Sequence, residues 1–186
     1  MFHPDKIIIF CVFLLAIFVT WTLSVRACES IAYGDTPLIS RVMTAISALR
    51  PTLSDGRVGD LATVFVDAGQ ETEIDPLLLV ALARRESGLR PSARGNLGEI
   101  GLLQVHGVGL KHRPEVCARS LTTADCQVRT GAAFLQWVRA SCPGSTWRWV
   151  CSYARSHCCS EEVARNDIGT RRAHRYHQEI GGREWD

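Results

Sequence analysis

Glu86 is the residue whose type and setting most suggest chemistry. It closes an apolar run, DPLLLVALARRES, in which Leu79, Leu82, Ala83 and Glu86 fall at i, i+3, i+4 and i+7. On a helix these positions share one stripe facing the core, with Arg84 and Arg85 pointing elsewhere. A carboxylate at the end of such a stripe is costly to keep ionised, because desolvation favours the protonated form. A carboxylic acid that holds its proton near neutral pH is the requirement for general-acid catalysis. The plainer alternative is a helix-end Glu that reaches solvent or pairs with a neighbouring Arg. Eighteen residues later Gln104 brings a second polar side chain beside an apolar run, GLLQV, after a loop carrying Pro91, Gly95, Asn96 and Gly98.

Several helices must position these groups. Thr36-Pro37 reads as an N-cap and first-turn proline, followed by Ile39, Val42, Met43, Ile46 and Leu49 at helical spacing up to Pro51. Residues 51–59 are turn-rich and read as a connector, with a helix from Asp60 to Gly69. Asp75 as N-cap, Pro76 at N1 and Gly88 as stop frame the helix that ends near Glu86. Thr122 to Asp125 cap a further helix with Val128, Ala132, Leu135 and Val138 on one face. Trp147, Trp149 and Tyr153 read as core aromatics, with flat surfaces for a ligand ring as the alternative. From about Arg171 the tail is rich in Arg and His and reads as a solvated helix face; His174 and His177 complete no metal set.

Composition narrows the class. Lys and Arg total 21 against 19 Asp and Glu, a net charge of +2, which gives no electrostatic drive toward nucleic acid. With 22% charged and 46% apolar residues the chain is not intrinsically disordered. Neither GxxxxGK[ST] nor GxGxxG occurs, so no nucleotide cofactor is indicated. Ile7–Leu23 is a largely apolar stretch of 17 residues, interrupted only by Thr20 and Thr22 and followed by Val25-Arg26-Ala27. A cleaved signal peptide is favoured over an uncleaved signal anchor, and lipidation at Cys28 is the minority reading. The expected location is therefore periplasmic or exported, with membrane contact only through this segment.

Cys117, Cys126, Cys142, Cys151, Cys158 and Cys159 cluster within residues 117–159, which after an export signal reads as a disulfide framework. The sequence does not choose among the pairings; Cys117 with Cys126 and Cys142 with Cys151 are plausible local loops. A metal site from His157, Cys158 and Cys159 is the rival, but adjacent cysteines fit zinc spacing poorly, and no metal is expected.

The segment ESGLRPSARGNLGEIGLLQV resembles the lytic transglycosylases of the soluble, goose-lysozyme-like type. Glu86, Ser87, Pro91, Ala93, Gly98, Gly101, Leu102 and Gln104 occupy the family's positions. TEIDPLLLVALARRES, LTTADCQVRTGAAFL and STWRWVCSYARS are similar to flanking parts of the pattern, so the resemblance covers roughly residues 60–160. The closest likeness is to small single-domain members that accompany secretion, conjugation or pilus systems. Leu103 replaces the family's Met, Glu99 its Ala, and Tyr153-Ala154-Arg155-Ser156 keeps the Tyr but loses the Asn and Gly. His106 stands where many members carry an apolar residue.

The resemblance implies a mostly α, lysozyme-like single catalytic domain after the apolar export segment. The boundaries expected are 1–27 for signal or anchor, 28–59 for a helix and connector, 60–165 for the catalytic domain and 166–186 for a basic tail. It implies cleavage of the β-1,4 bond between N-acetylmuramic acid and N-acetylglucosamine in peptidoglycan strands, without water and without a cofactor. Glu86 would act as acid, then base, with its pKa raised by burial. Ser87 would support the carboxylate or a substrate carbonyl, Gln104 and Tyr153 would line the sugar groove, and His106 would alter a subsite. Two-carboxylate hydrolysis needs a partner about 5–9.5 Å away; Glu99 is the nearby candidate, and a muramidase is thus the same-class alternative. A catalytically weak wall-binding assembly module is the alternative from another class.

Overall fold

The computed structural model describes residues 38–105, 107–118 and 121–186. The apolar run at 7–23, the Thr36-Pro37 cap, Cys28 and His106 lie outside the described residues. Seven α-helices carry the described chain: α1 over 38–49, α2 Asp55–Thr72, α3 Pro76–Ser87, α4 Ala124–Ser141, α5 Thr146–Arg155, α6 Glu161–Asn166 and α7 Ile168–Glu179. Two short 3-10 turns, Gly107–His112 and Glu115–Cys117, lie between α3 and α4. Isolated bridges, Arg94 with Ile100 and Ile100 with Val105, are the only β pairing among the described residues. The all-helical, lysozyme-like class is as the sequence implies.

Helix α3 is the central element. Asp75 caps it by accepting from the Leu77 amide at 2.9 Å, and Pro76 occupies its first turn, where no N–H is needed. Gly88 ends it at φ 63, a left-handed conformation that costs a glycine nothing, and its N–H closes on the Ala83 and Arg84 carbonyls. Every residue from Leu77 to Ala83 is buried, because α2 packs on one side and α7 on another. The helix therefore has no single core-facing stripe. That is why Arg85, expected to point away, is itself enclosed, its side chain only 7% exposed.

Two expectations about the elements change. Helix α2 begins at Asp55 and runs to Thr72, so most of the anticipated connector is helical. Asp55 at the positive N-terminal end and the buried Val58 outweigh the two glycines there. The C-terminal tail also differs from a solvated face. Thr170, Ala173 and His177 are buried on α7, while Arg171, Arg172 and Arg175 remain outside.

His177 links that tail to α3. The Trp185 indole N–H donates to His177 Nδ1 at 3.0 Å, and His177 Nε2 lies 3.1 Å from Asp75 Oδ2. An indole nitrogen only donates, so Nδ1 accepts and Nε2 carries the proton to the carboxylate. Burial pushes Asp75 up, but the hydrogen bonds from His177 and the Leu77 amide, with Arg41 nearby, hold it below the ordinary carboxylate value. The cap of α3 is thus fixed by the last residues of the chain.

The cysteines form three disulfides: Cys117–Cys126, Cys142–Cys158 and Cys151–Cys159. The first is one of the anticipated local loops. The anticipated Cys142–Cys151 pair is not formed. Cys142 is the C-cap of α4, and the turn after α5 brings Cys158 to it at a Cα separation of 5.4 Å, while Cys159 folds back on Cys151. With both sulfurs so engaged, the metal reading of His157, Cys158 and Cys159 falls.

Candidate active site

Glu86 lies on the last turn of α3 and opens into a cavity of about 160 Å³ lined also by Gly95, Glu99, Gln104, Val105, Phe134, Tyr153, Ala154 and Ser156. The Glu86 side chain is 20% exposed. Its Oε1 pairs with Arg85 Nη2, so the carboxylate sits against a guanidinium rather than in the dry apolar end the stripe suggested. Arg85 Nη1 is buried without a hydrogen-bond partner, and Arg85 does not line the cavity. An enclosed cation is thus bonded to a carboxyl whose residue lines the cavity.

Tyr153 comes from α5, where a Ser145 hydroxyl accepting from the Arg148 amide caps the start. Its Oη donates to the Leu103 carbonyl at 2.8 Å. Burial, then the negative charge of Glu86, push its hydroxyl well above the ordinary tyrosine value, with Arg85 opposing. Tyr153 thus remains a neutral donor that ties α5 to the cavity floor.

The floor is the turn Gly101–Val105. Gln104 has φ 48, and its Nε2 donates to the Gly101 carbonyl at 2.7 Å, so the amide folds over its own turn at the cavity wall. Ser87 is 3% exposed and does not line the cavity. Its hydroxyl lies 3.0 Å from the Ala83 carbonyl and 2.9 Å from the Leu102 carbonyl, and accepts from the Arg90 amide at 3.2 Å. Its contacts join the end of α3 to the turn rather than reaching a ligand.

Gln127 on α4 is the organiser that sequence reasoning missed. It is 2% exposed. Its Oε1 accepts from the Leu102 amide at 3.0 Å, and its Nε2 donates to the Pro91 and Leu121 carbonyls at 3.0 and 2.9 Å. Gly101, at φ 74, lies so close that a Cβ there would sit 2.0 Å from the Gln127 amide carbon. A glutamine beside Val128 on the apolar face of a helix was the available signal, since a buried amide must find partners. Phe134, three residues from Gly131, was missed as well; its ring lies 5.0 Å from that of Tyr153.

Glu99 reaches the same cavity from the loop. Its Oε2 accepts from the Leu97 amide at 2.8 Å and packs against Gly95. Ala154 and Ser156, at the altered positions after Tyr153, line the cavity too, and Ser156 is the left-handed C-cap of α5 at φ 57. Trp147 instead packs against His174 and meets Trp185 edge-on, away from the cavity.

The arrangement offers one carboxyl on a rigid helix end, a second on a loop, a neutral phenol, an amide and an aromatic wall. That set suits proton transfer to a ring-shaped, hydroxyl-rich ligand. No curated protein matches the chain. Residues 63–174 match the family model described as the transglycosylase SLT domain, a span containing every cavity-lining residue. The chain belongs to the transglycosylase SLT domain family, the lytic transglycosylases that act on peptidoglycan.

Proposed function

We propose that Glu86 cleaves the β-1,4 bond between N-acetylmuramic acid and N-acetylglucosamine without water. Its proton passes to the bridging oxygen as the C1–O bond breaks, the bonding pair leaving with that oxygen. The muramoyl 6-hydroxyl oxygen then bonds to C1, and its proton returns to the Glu86 carboxylate. A 1,6-anhydro ring closes and the enzyme is restored. One residue suffices because the nucleophile belongs to the substrate, so proximity replaces a positioned water. The observation that carries this reading is Glu86 on the last turn of a capped, buried helix, opening into the cavity that Gln104 and Tyr153 share.

Gln104 and Tyr153 contribute the groove wall, and Ser87 acts indirectly by fixing the turn. Mass analysis of digested sacculi tests the proposal. Anhydro ends are expected from the wild type, with turnover lost and strand binding kept in Glu86→Gln; full lytic activity in that variant refutes the assignment.

One observation favours a second reading. Glu99 shares the cavity with Glu86, and hydrolysis by two carboxylates would release reducing muramic ends, heavier by one water. The same mass analysis separates the two.

Export is part of the proposal. The apolar run Ile7–Leu23 and three disulfides support a periplasmic or exported enzyme, cleaved or anchored at its N-terminus. Service to a secretion, conjugation or pilus assembly is the corresponding proposal for its partner, supported by the apolar run and the disulfides that accompany the SLT domain.

A further inference from the structure

The cavity of about 160 Å³ is smaller than the roughly 300–1,000 Å³ that encloses a typical ligand, so a polymer must rest most of its length on the rim. The rim has one notable feature. Trp137 is 42% exposed, and it is the only aromatic among the large exposed apolar side chains of the described residues. It stands one turn along α4 from Phe134, which lines the cavity. The two rings are 5.8 Å apart and within 15° of parallel. His112, at the end of the first 3-10 turn, stacks on both, at 4.7 Å from Trp137 and 5.6 Å from Phe134. Phe134 in turn meets Tyr153 at 5.0 Å. Aromatic surface therefore runs without a break from the cavity beside Glu86 to solvent.

We propose that Trp137, held by His112 and Phe134, is a stacking platform for a sugar ring of the glycan strand beyond the residues at the scissile bond. This rests on the reading that a glycan occupies the Glu86 cavity. A pyranose has an apolar C–H face and a hydroxyl edge, so it matches a flat ring that is apolar on its face and wet at its rim. The platform is rigid in advance, because neighbouring rings fix the Trp137 side chain and little rotamer freedom is left to lose on binding. A simple core role does not explain it: a core indole is covered, as Trp147 and Trp185 are at 8% and 4% exposure.

The test uses the full chain carrying Glu86→Gln, with chitobiose and chitohexaose as probes and calorimetry as the readout. Trp137→Ala is expected to weaken chitohexaose binding about fivefold to tenfold and to leave chitobiose binding within twofold. Trp137→Phe is expected to retain most chitohexaose affinity, and circular dichroism checks that both variants are folded. Unchanged chitohexaose binding in Trp137→Ala overturns the platform, as does an equal loss for both probes, which would mean damage to the cavity itself. Failure of the wild type to release fragments from sacculi would instead strike the proposed reaction, and the split between the two probes would still be readable.

Discussion

Replacing Gln127 by Met isolates what holds the turn Gly101–Val105. Met has nearly the same length, so no cavity opens, and three hydrogen bonds are deleted: from the Leu102 amide, and to the Pro91 and Leu121 carbonyls. At about 0.5–1.5 kcal/mol net for each bond, the loss alone comes to roughly 1.5–4.5 kcal/mol. Leu102 is fully buried, so water does not replace the acceptor its amide loses. An orphaned buried donor costs about 1–3 kcal/mol, which places the total near the upper end, about 4 kcal/mol. A domain of ordinary stability, about 5–15 kcal/mol, survives that loss. At a urea slope of about 2 kcal/mol/M the unfolding midpoint should fall by about 2 M with the slope unchanged. Hydrogen exchange should show the amides of residues 101–105 opening first, and lytic activity should drop at temperatures where the variant is still folded. A midpoint shift below about 0.5 M, or protection of those amides unchanged, refutes the claim that Gln127 organises the turn.

Two further outcomes follow from backbone and charge. Ser156 adopts φ 57, which costs a residue with a side chain about 1 kcal/mol or more, so Ser156→Gly should raise the melting temperature by about 2–4 °C in calorimetry. A lower melting temperature would mean that the serine side chain stabilises more than its backbone costs. Asp167 is pushed up by burial but brought down to about 2 by Arg155 and by the Thr170 amide and hydroxyl; Asp75 is lowered likewise by His177 and the Leu77 amide. Folded values below the unfolded ones mean that the unfolded chain binds more protons, so stability is present above about pH 4 and lost as pH falls toward about 2. Asp167→Asn should flatten that part of the curve of melting temperature against pH, and a slope equal to the wild type's would remove Asp167 from the account.

What the sequence revealed was local. The Asp75-Pro76 start and Gly88 stop of α3 follow from capping chemistry that three or four adjacent residues decide. The α1 stripe of Val42, Ile46 and Leu49 is buried as its spacing requires. Positions such as Gln104 and Tyr153 came through a patterned resemblance and do lie at one cavity. What stayed hidden depends on elements far apart in the chain. Periodicity supposes one buried face and so points Arg85 outward, whereas α2 and α7 enclose α3 from different sides. Gln127 looked like an ordinary helix residue until the loop it holds was folded against it. Cys142 pairs with Cys158 rather than Cys151 because α5 intervenes, and no spacing rule contains that packing.

The environment of Glu86 bears on how one carboxyl can do two jobs. A guanidinium keeps its charge throughout the accessible pH range. Burying one is costly unless its partners are good, and Arg85 leaves Nη1 without any. The pair is thus poorly justified as a stabilising contact. Its geometry makes sense in the proposed reaction instead. Arg85, itself enclosed, engages Oε1, which restrains a carboxyl whose residue lines the cavity. In the proposed reaction, once Glu86 hands over its proton the carboxylate left behind would already face a fixed cation, so little reorganisation would be needed at that moment. In the proposed return step the same restrained carboxylate would take the proton of the muramoyl hydroxyl. A mobile carboxyl would have to find two orientations in succession; one restrained by Arg85 needs only the substrate to move.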